Sequence, residues 1–154
     1  MKKAIIHGAL FSTVVILFVA CGGYNLNFLP PADNAKPQDI FPADIDGLKP
    51  ALRKAGDIGG ITAVYGNGDI SIRVTRMKDR EQADMGFKQA IVPQFKDFPT
   101  RSSGKINGVW KASGTDGTGR SYFAWVNTNY IFMITGKDKA HMLKGIDAFQ
   151  YISR

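Results

Sequence analysis

The chain has 154 residues, of which 44% are hydrophobic, and it carries a formal net charge of +7. This length suits one domain and is too short for two full ones. Because Cys21 is the sole cysteine, no disulfide can form within the chain, and packing alone must hold the fold. The basic residues are scattered among acids without a run of five like charges, so we expect ordinary solvated faces and no nucleic-acid partner.

The N-terminal segment has the layout of a secretory signal. Lys2 and Lys3 give a positive start, the stretch 9–19 is almost wholly apolar, and the small residue Ala20 precedes Cys21. This segment resembles a bacterial lipoprotein signal, with Phe18 standing where that pattern usually has Leu. The resemblance implies that residues 1–20 are removed as a signal peptide and that Cys21 is lipidated, with palmitate-like acyl chains as the membrane anchor.

Two other interpretations of this segment stay open. One is an uncleaved anchor over residues 4–20, which is short for a hydrocarbon core of about 30 Å, and the other is plain secretion with an incidental cysteine. A lipoprotein would be held on the extracytoplasmic side of a membrane. Because Gly22 and not Asp follows Cys21, the resemblance implies the periplasmic face of the outer membrane if the source is Gram-negative, and otherwise the outer face of the cell membrane.

Residues 21–39 are predicted to form the lipidated N-terminus and an extended tether, because they are rich in Gly, Pro, Asp and Asn. Four apolar residues interrupt this segment, namely Tyr24, Leu26, Phe28 and Leu29. We favour their packing on the domain, with contact to the bilayer or a partner as alternatives. A single globular domain is predicted over residues 40–154, and within it 48–55 is either a strand or a short helical turn.

The next elements are a hairpin and a helix. Residues 61–65 and 70–75 are β-rich and flank the turn sequence Gly66-Asn67-Gly68-Asp69, which predicts a half-buried hairpin. Asp79 is a candidate N-cap with Gln82 in the capping-box position. The apolar residues that follow at helical spacing are Ala83, Phe87, Ala90 and Ile91. Pro93 is expected to disturb this helix near its end.

Three strands and a second helix complete the predicted order. Residues 104–112 are predicted as one strand, and 120–126 and 130–135 as a hairpin that is the most apolar part of the domain and forms the centre of its sheet. A helix from about Asp138 is expected to bury one face. That face consists of Met142, Leu143, Ile146 and Phe149.

These elements predict an α+β fold with an antiparallel sheet of about five strands, two hairpins plus one strand, flanked by two amphipathic helices. We expect both helices to pack against one face of the sheet. The order of elements resembles that of PsbP-like domains, in which helices flank an antiparallel sheet. The likeness lies in layout, and no motif accompanies it, so it implies nothing about function.

The sequence singles out no catalytic, cofactor-binding or metal-binding residue. His141 is the one histidine after residue 20, and we expect it at the surface or boundary of a helix. The glycine-rich stretch 114–120 lacks a P-loop lysine and further carboxylates, so it predicts a hairpin connection, not a phosphate or calcium loop. Four aromatic residues are predicted to be core, or a sugar-stacking surface if they share an exposed face: Trp110, Tyr122, Trp125 and Tyr130.

Two classes of function fit this sequence. We favour a non-catalytic binding or assembly module of the cell envelope, attached to the lipid bilayer through acylated Cys21 and recognising an envelope protein or glycan. The alternative is an enzyme that acts on an envelope polymer through carboxylates that the sequence does not single out. A deep pocket containing an acid of perturbed pKa would favour the enzyme.

Overall fold

The computed structural model describes residues 29–55 and 59–152, which form one sheet with helical segments on both sides. In chain order the strands are β1 (Pro50–Lys54), β2 (Ile61–Tyr65), β3 (Ile70–Arg76), β4 (Thr100–Ile106), β5 (Val109–Thr115), β6 (Ser121–Asn127) and β7 (Tyr130–Gly136). The α-helices are α1 (Pro37–Ile40), α2 (Arg80–Gly86) and α3 (Lys139–Ala148). Cys21 and the predicted signal segment lie outside the described residues.

The seven strands form an antiparallel sheet in the order β1-β2-β3-β7-β6-β5-β4. This confirms the α+β class and the predicted hairpins β2–β3 and β6–β7, and it places β7 at the centre. The predicted number of about five strands is too low. Residues 50–54, for which a strand and a helical turn were both open, form β1 against β2.

The prediction of one strand over 104–112 is wrong, because this segment contains a tight turn. Asn107 and Gly108 adopt positive φ values of 50° and 78° between β4 and β5. Asn-Gly is the preferred pair for a two-residue turn that needs positive φ at both positions. The two strands then pair in register from Thr100 opposite Thr115 to Ile106 opposite Val109.

Both predicted helix starts are confirmed by their capping residues. The Asp79 carboxylate accepts a hydrogen bond of 2.8 Å from the Gln82 amide, and Asp138 accepts one of 2.9 Å from the His141 amide. Such side chains satisfy amide groups that the first helical turn leaves unpaired. After α2 the chain continues as a π-helical turn, Phe87–Ile91, and a 3₁₀ turn, Val92–Phe95, which contains Pro93.

The helices cover opposite faces of the sheet, so the prediction that both pack on one face is wrong. On β7, Phe132 and Ile134 belong to the core cluster with Met142 and Phe149 of the α3 side. Ile131 and Met133 belong to a second cluster on the α2 side. The α2-side cluster is completed by Ala83, Phe87, Ile91, Phe95, Ala112, Ala124 and Val126. Because side chains alternate along a strand, β7 supplies apolar groups to both layers.

Helix α3 packs closely on the sheet, but its buried face is narrower than predicted. A Cβ atom added at Gly145 would lie 2.8 Å from Ile134 Cγ2 and 3.0 Å from Ile70 Cγ2. Met142 and Phe149 are buried, and Ile146 packs partly against the same cluster. Leu143 is 45% exposed, so its predicted place on this face is wrong. The small Gly145 brings the helix axis near the strands and leaves Leu143 directed to solvent.

The segment before β1 also contacts the sheet. Pro31 is buried, and Asp33 pairs with Arg76 of β3 at 2.6 Å, although the sequence assigned both residues to the tether. Leu29 is 81% exposed, so its predicted packing on the domain is not found. Tyr24, Leu26 and Phe28 lie outside the described residues. Within the described ranges, no helix is long and apolar enough to span a membrane.

Candidate functional site

The α3 side of strands β4 and β5 holds a cavity that neither helix fills, here called the Lys111 cavity. Its volume is about 190 Å³, and it is lined by Ser102, Gly104, Ile106, Lys111, Ala112, Ser113 and Phe123. The strand register builds it: Gly104 faces Lys111 across β4–β5, and Lys111 faces Trp125 across β5–β6. Two residues further along β5, Ser113 pairs with Ser102 of β4 on one side and with Phe123 of β6 on the other. Alternation therefore directs these side chains to one face.

Lys111 is the most unusual residue of this cavity. It is only 8% exposed, and burial lowers the pKa of its ammonium group from the ordinary value. The cross-strand neighbour Gly104 leaves space beside it, since a Cβ atom added there would meet no heavy atom within 4 Å. The floor of the cavity therefore combines a desolvated cation with an unfilled position next to it.

A second cavity of about 420 Å³ adjoins the first, because Ser102 and Ser113 line both. Its other lining residues are Thr100, Arg101, Gly114, Thr115, Ser121, Tyr122, Lys139 and Met142. The hydroxyl oxygens of Thr115 and Ser121 lie 3.0 Å apart, and Lys139 comes from the first turn of α3. We call the two cavities together the α3-side groove. Its lining includes the hydroxyl groups of Thr100, Ser102, Ser113, Thr115 and Ser121.

Two other depressions are less suited to a ligand. One has a volume of about 760 Å³, but its lining residues all come from the stretch 80–89, on the outside of α2 and the turn that follows it. Another, of about 170 Å³, contains Asp33, Arg76 and Tyr130. There the Asp33 carboxylate already lies 2.6 Å from the Arg76 guanidinium. We therefore take the α3-side groove as the candidate site.

The glycine-rich stretch forms the predicted hairpin connection, between β5 and β6. Oδ1 of Asp116 accepts hydrogen bonds from the Thr118 hydroxyl at 2.7 Å, the Thr118 amide at 2.9 Å and the Arg120 amide at 3.0 Å. Oδ2 accepts the Tyr122 hydroxyl at 2.9 Å. The hydrogen bonds from Thr118, Tyr122 and Arg120 lower the pKa of Asp116. Both carboxylate oxygens of Asp116 are therefore used in hydrogen bonds within this loop and to the strand that follows it.

His141 lies in the first turn of α3 and is half-buried, as expected for a boundary residue. Its ring Nδ1 lies 2.8 Å from Oδ1 of Asp138, the carboxylate that also caps the helix. The backbone amide of His141 and, to a smaller extent, its side chain lower the pKa of Asp138. Among the residues that the structure describes, no group of three or more His, Cys, Asp or Glu is placed to hold a metal ion.

The four aromatic residues singled out in the sequence do not share a face. Trp125 and Tyr130 are buried in the α3-side core, as predicted. Trp110 and Tyr122 pack partly on the α2 side, where the Lys88 ammonium lies 5.0 Å from the Trp110 ring and Tyr122 contacts Phe95 and Phe98. A single stacking surface built from all four is therefore excluded.

The groove was not predicted from the sequence, in which Lys111 is one of the scattered basic residues and Ser102 and Ser113 are ordinary polar residues. One signal was available: Lys111 interrupts the strand sequence Val109-Trp110-Lys111-Ala112, and a lysine within an apolar strand is seldom buried unless it has a partner. The cavity itself depends on the β4–β5 hairpin, which the single-strand interpretation concealed.

Comparisons with known proteins add no functional assignment. No family model matches the chain, and no curated protein matches it by sequence. Among solved structures, a GTP binding regulator from Thermotoga maritima matches with a TM-score of 0.49 and 13% identity, covering 71% of this chain and 82% of that one. A likeness at this level carries no argument about what the chain does.

Proposed function

We propose that the protein is a lipid-anchored, non-catalytic binding or assembly module of the cell envelope, and that the α3-side groove is its binding surface. The observation that carries this proposal is the pair of adjoining cavities, about 190 and 420 Å³, whose lining includes five Ser and Thr hydroxyls. Concave sites with a few convergent polar groups are the usual places for ligands.

The groups in the groove favour binding over catalysis. Its lining includes Lys111 and Lys139 together with five Ser and Thr hydroxyls, which donate or accept hydrogen bonds. Several of the acids have structural contacts outside the groove. Asp79 and Asp138 cap helices, and Asp84 lies 3.3 Å from Lys105. These contacts support a recognition surface that holds a polar ligand.

The anchor belongs to the same proposal. The lipoprotein-like pattern ends at Cys21, ten residues before Pro31, the first buried residue in the part of the chain that the structure describes. A fully extended chain spans about 3.3 Å per residue, so this stretch reaches roughly 33 Å at most. A module held at that range searches for its partner in two dimensions along a membrane. The proposed site of action is the periplasmic face of the outer membrane in a Gram-negative source.

Photo-crosslinking in cells tests the binding surface. A benzophenone amino acid replaces Ile106, which lines the groove and is 43% exposed, or Leu52 of β1, which is 45% exposed and serves as the matched control. We expect an adduct with an envelope protein or glycan from position 106 and much less from position 52. Equal yields at both positions, or none at either, would contradict the proposal.

Metabolic labelling tests the anchor. Cells given a radiolabelled palmitate should incorporate it into the parent chain and not into Cys21→Ser, and the parent alone should stay in the membrane pellet after an alkaline wash. Mass spectrometry should find no mature chain that retains residues 1–20. An intact Met1-containing chain would rule out the lipoprotein, and membrane retention of the Cys21→Ser variant would indicate an uncleaved anchor.

A further inference from the structure

The two edges of the sheet differ in how they are protected against pairing with another strand. β1, at one edge, has five residues and begins with Pro50. β4, at the other edge, has seven residues without a proline, and it pairs with β5 from Thr100 to Ile106 without a bulge. Both strands carry two basic side chains, so the difference lies in the backbone. Because proline, short length and bulges are what usually keep an edge strand from pairing, β4 is the edge that can accept a further strand.

The register shows which backbone groups of β4 point outward. Ile106 and Val109 pair directly across a two-residue turn, so they exchange both backbone hydrogen bonds. Hydrogen-bonded and non-hydrogen-bonded pairs alternate along an antiparallel ladder. The amide and carbonyl groups of Arg101, Ser103 and Lys105 are therefore directed away from β5, and in the part of the chain that the structure describes no strand pairs with them.

On the α3 side of β4, the edge has an apolar gap. A Cβ atom added at Gly104 would meet no heavy atom within 4 Å, and the cavity beside it is lined in part by Ile106 and Phe123. Directly opposite residues of a non-hydrogen-bonded pair have their side chains close together, and an aromatic side chain opposite an edge glycine covers the space that the glycine leaves. An aromatic residue of an added strand therefore fits opposite Gly104.

On the α2 side, β4 presents positive charge, since Arg101 and Lys105 are exposed and the strand contains no acid. The Arg101 guanidinium donates to the carbonyl oxygen of Phe98, a neutral group, at 2.9 Å. The Lys105 ammonium lies 3.3 Å from Asp84, and its side chain is still 47% exposed. Opposite charges on directly or diagonally paired residues stabilise neighbouring strands. An acidic residue opposite Ser103 lies diagonal to both cations, and one opposite Arg101 faces it directly.

We infer that β4 binds an extended segment of a partner protein by antiparallel strand addition, with an aromatic residue opposite Gly104 and acidic residues opposite Ser103 and Arg101. This inference rests on the proposed binding role of the α3-side groove, which the aromatic side chain enters, and does not depend on the membrane anchor. It names the partner as a protein, where the proposed function leaves protein and glycan open. A second copy of this chain fits poorly, because antiparallel pairing of β4 with itself over its full length places Arg101 opposite Lys105.

The test is a fluorescence-anisotropy titration of the full-length protein in detergent with a labelled synthetic peptide, Val-Thr-Phe-Glu-Thr-Glu-Thr. Paired with β4 in antiparallel register, this peptide places Phe opposite Gly104 and its two Glu residues opposite Ser103 and Arg101. We expect saturable binding that is at least tenfold tighter than that of the same peptide with both Glu residues replaced by Lys, or with Phe replaced by Ala. No binding of the parent peptide, or equal binding of either substituted peptide, would overturn the inference.

Peptides methylated on backbone nitrogens test the strand pairing itself. In the inferred register, the amides of the second, fourth and sixth residues point to β4, and those of the third, fifth and seventh point away. Methylation of the first set should therefore abolish binding, whereas methylation of the second set should preserve it. Equal loss with the two sets would mean that charge or side-chain contacts alone attract the peptide, and strand addition would be wrong.

Two protein variants, each with a control, locate the site on β4. Ser103→Pro removes an outward amide and no hydrogen bond to β5, so it should abolish peptide binding, whereas Ser103→Thr keeps the amide and should bind like the parent. Arg101→Glu should weaken binding at least tenfold, and Lys96→Glu, an equal change of charge at an exposed residue outside the groove, should leave it nearly unchanged. If Ser103→Pro fails to fold, Arg101→Glu still decides. Unchanged affinity in folded Ser103→Pro would overturn the inferred site.

These outcomes separate the inference from the proposed function. If the peptide does not bind while position 106 still crosslinks in cells, strand addition is wrong and the binding module stands. If the peptide binds with the expected methylation pattern but position 106 gives no adduct, β4 accepts a strand and the proposed envelope partner is wrong. Dimers of the protein alone in analytical ultracentrifugation, abolished by Ser103→Pro, would show that a second copy and not a partner protein occupies this edge.

Discussion

Two hairpins of one sheet, β4–β5 and β6–β7, have the same strand length and opposite surroundings. All residues of β7 are buried, whereas in β4 every residue except the half-buried Gly104 is exposed. Their sequences, Tyr-Ile-Phe-Met-Ile-Thr-Gly and Thr-Arg-Ser-Ser-Gly-Lys-Ile, show the same contrast. The β6–β7 hairpin supplies the core on both faces, whereas in β4–β5 only β5 joins a core, through Ala112 on the α2 side, and β4 keeps its polar side chains exposed.

The largest expected contrast concerns a buried aromatic ring. Phe132 of β7 is fully buried, and its ring lies 5.1 Å from Trp125 and 5.4 Å from Phe149. Phe132→Ala should lower the free energy of unfolding by about 3 to 5 kcal/mol, as measured by urea denaturation, and Phe149→Ala should behave alike. Ile106→Ala at the open edge should cost less than about 1 kcal/mol. Losses below about 1 kcal/mol at both Phe132 and Phe149 would show that β7 is not the structural centre.

Two strand glycines without positive φ sharpen the comparison. A Cβ atom added at Gly136 of β7 would lie 2.1 Å from the Met142 backbone nitrogen, whereas at Gly104 of β4 it would meet nothing within 4 Å. Gly136→Ala should therefore destabilise the protein by about 1 to 3 kcal/mol or more. Gly104→Ala should be neutral or slightly stabilising, since alanine restricts the unfolded chain. Thermal denaturation measures the melting temperature of each variant. Equal shifts in melting temperature for the two variants would contradict the difference in packing.

A smaller effect is expected at the start of α2, which covers the far side of β6 and β7. Asp79→Ala removes the hydrogen bond to the Gln82 amide and should cost about 1 kcal/mol of unfolding free energy. The exposed Asp97, which follows the 3₁₀ turn, provides the control variant Asp97→Ala. Equal urea midpoints for the two variants would mean that the cap does not stabilise the covered region.

The smallest predicted effect is a pH dependence in the loop joining β5 to β6. Hydrogen bonds hold the pKa of Asp116 below its ordinary value, so its stabilising contribution is complete above the unfolded pKa of about 3.9 and is lost as pH falls through the folded value. The urea midpoint of Asp116→Asn should therefore depend less on pH than that of the parent below about pH 4. Parallel curves over this range would contradict the assignment.

Local signals in the sequence were sufficient for several elements of the fold. Asp79 and Asp138 mark the starts of α2 and α3, and the apolar runs in β6 and β7 mark the centre of the sheet. The face that each helix covers was not predictable in the same way. Apolar residues at helical spacing show that a helix has a buried side. They do not show which face of the sheet that side packs against, because this depends on the path of the chain between the strands.

The candidate site was less predictable, because it is built from residues that look ordinary one by one. Ser102, Lys111 and Ser113 meet only when the Asn107-Gly108 turn pairs β4 with β5. An Asn-Gly pair between polar and apolar runs was a usable hairpin signal. Lys111 is buried because the register places it beside Trp125 of β6. The residue pattern of β5 alone does not reveal this neighbour.

Native-state amide hydrogen exchange, followed by nuclear magnetic resonance, tests most directly the claim that β7 is the covered centre of the sheet and β4 its open edge. The full-length protein, uniformly labelled and held in detergent micelles, is transferred to heavy water. We expect the amides of β7 to exchange slowest, through global unfolding, and those of β4 to exchange fastest among the strands of this half of the sheet. Equal protection of β4 and β7 would contradict this difference.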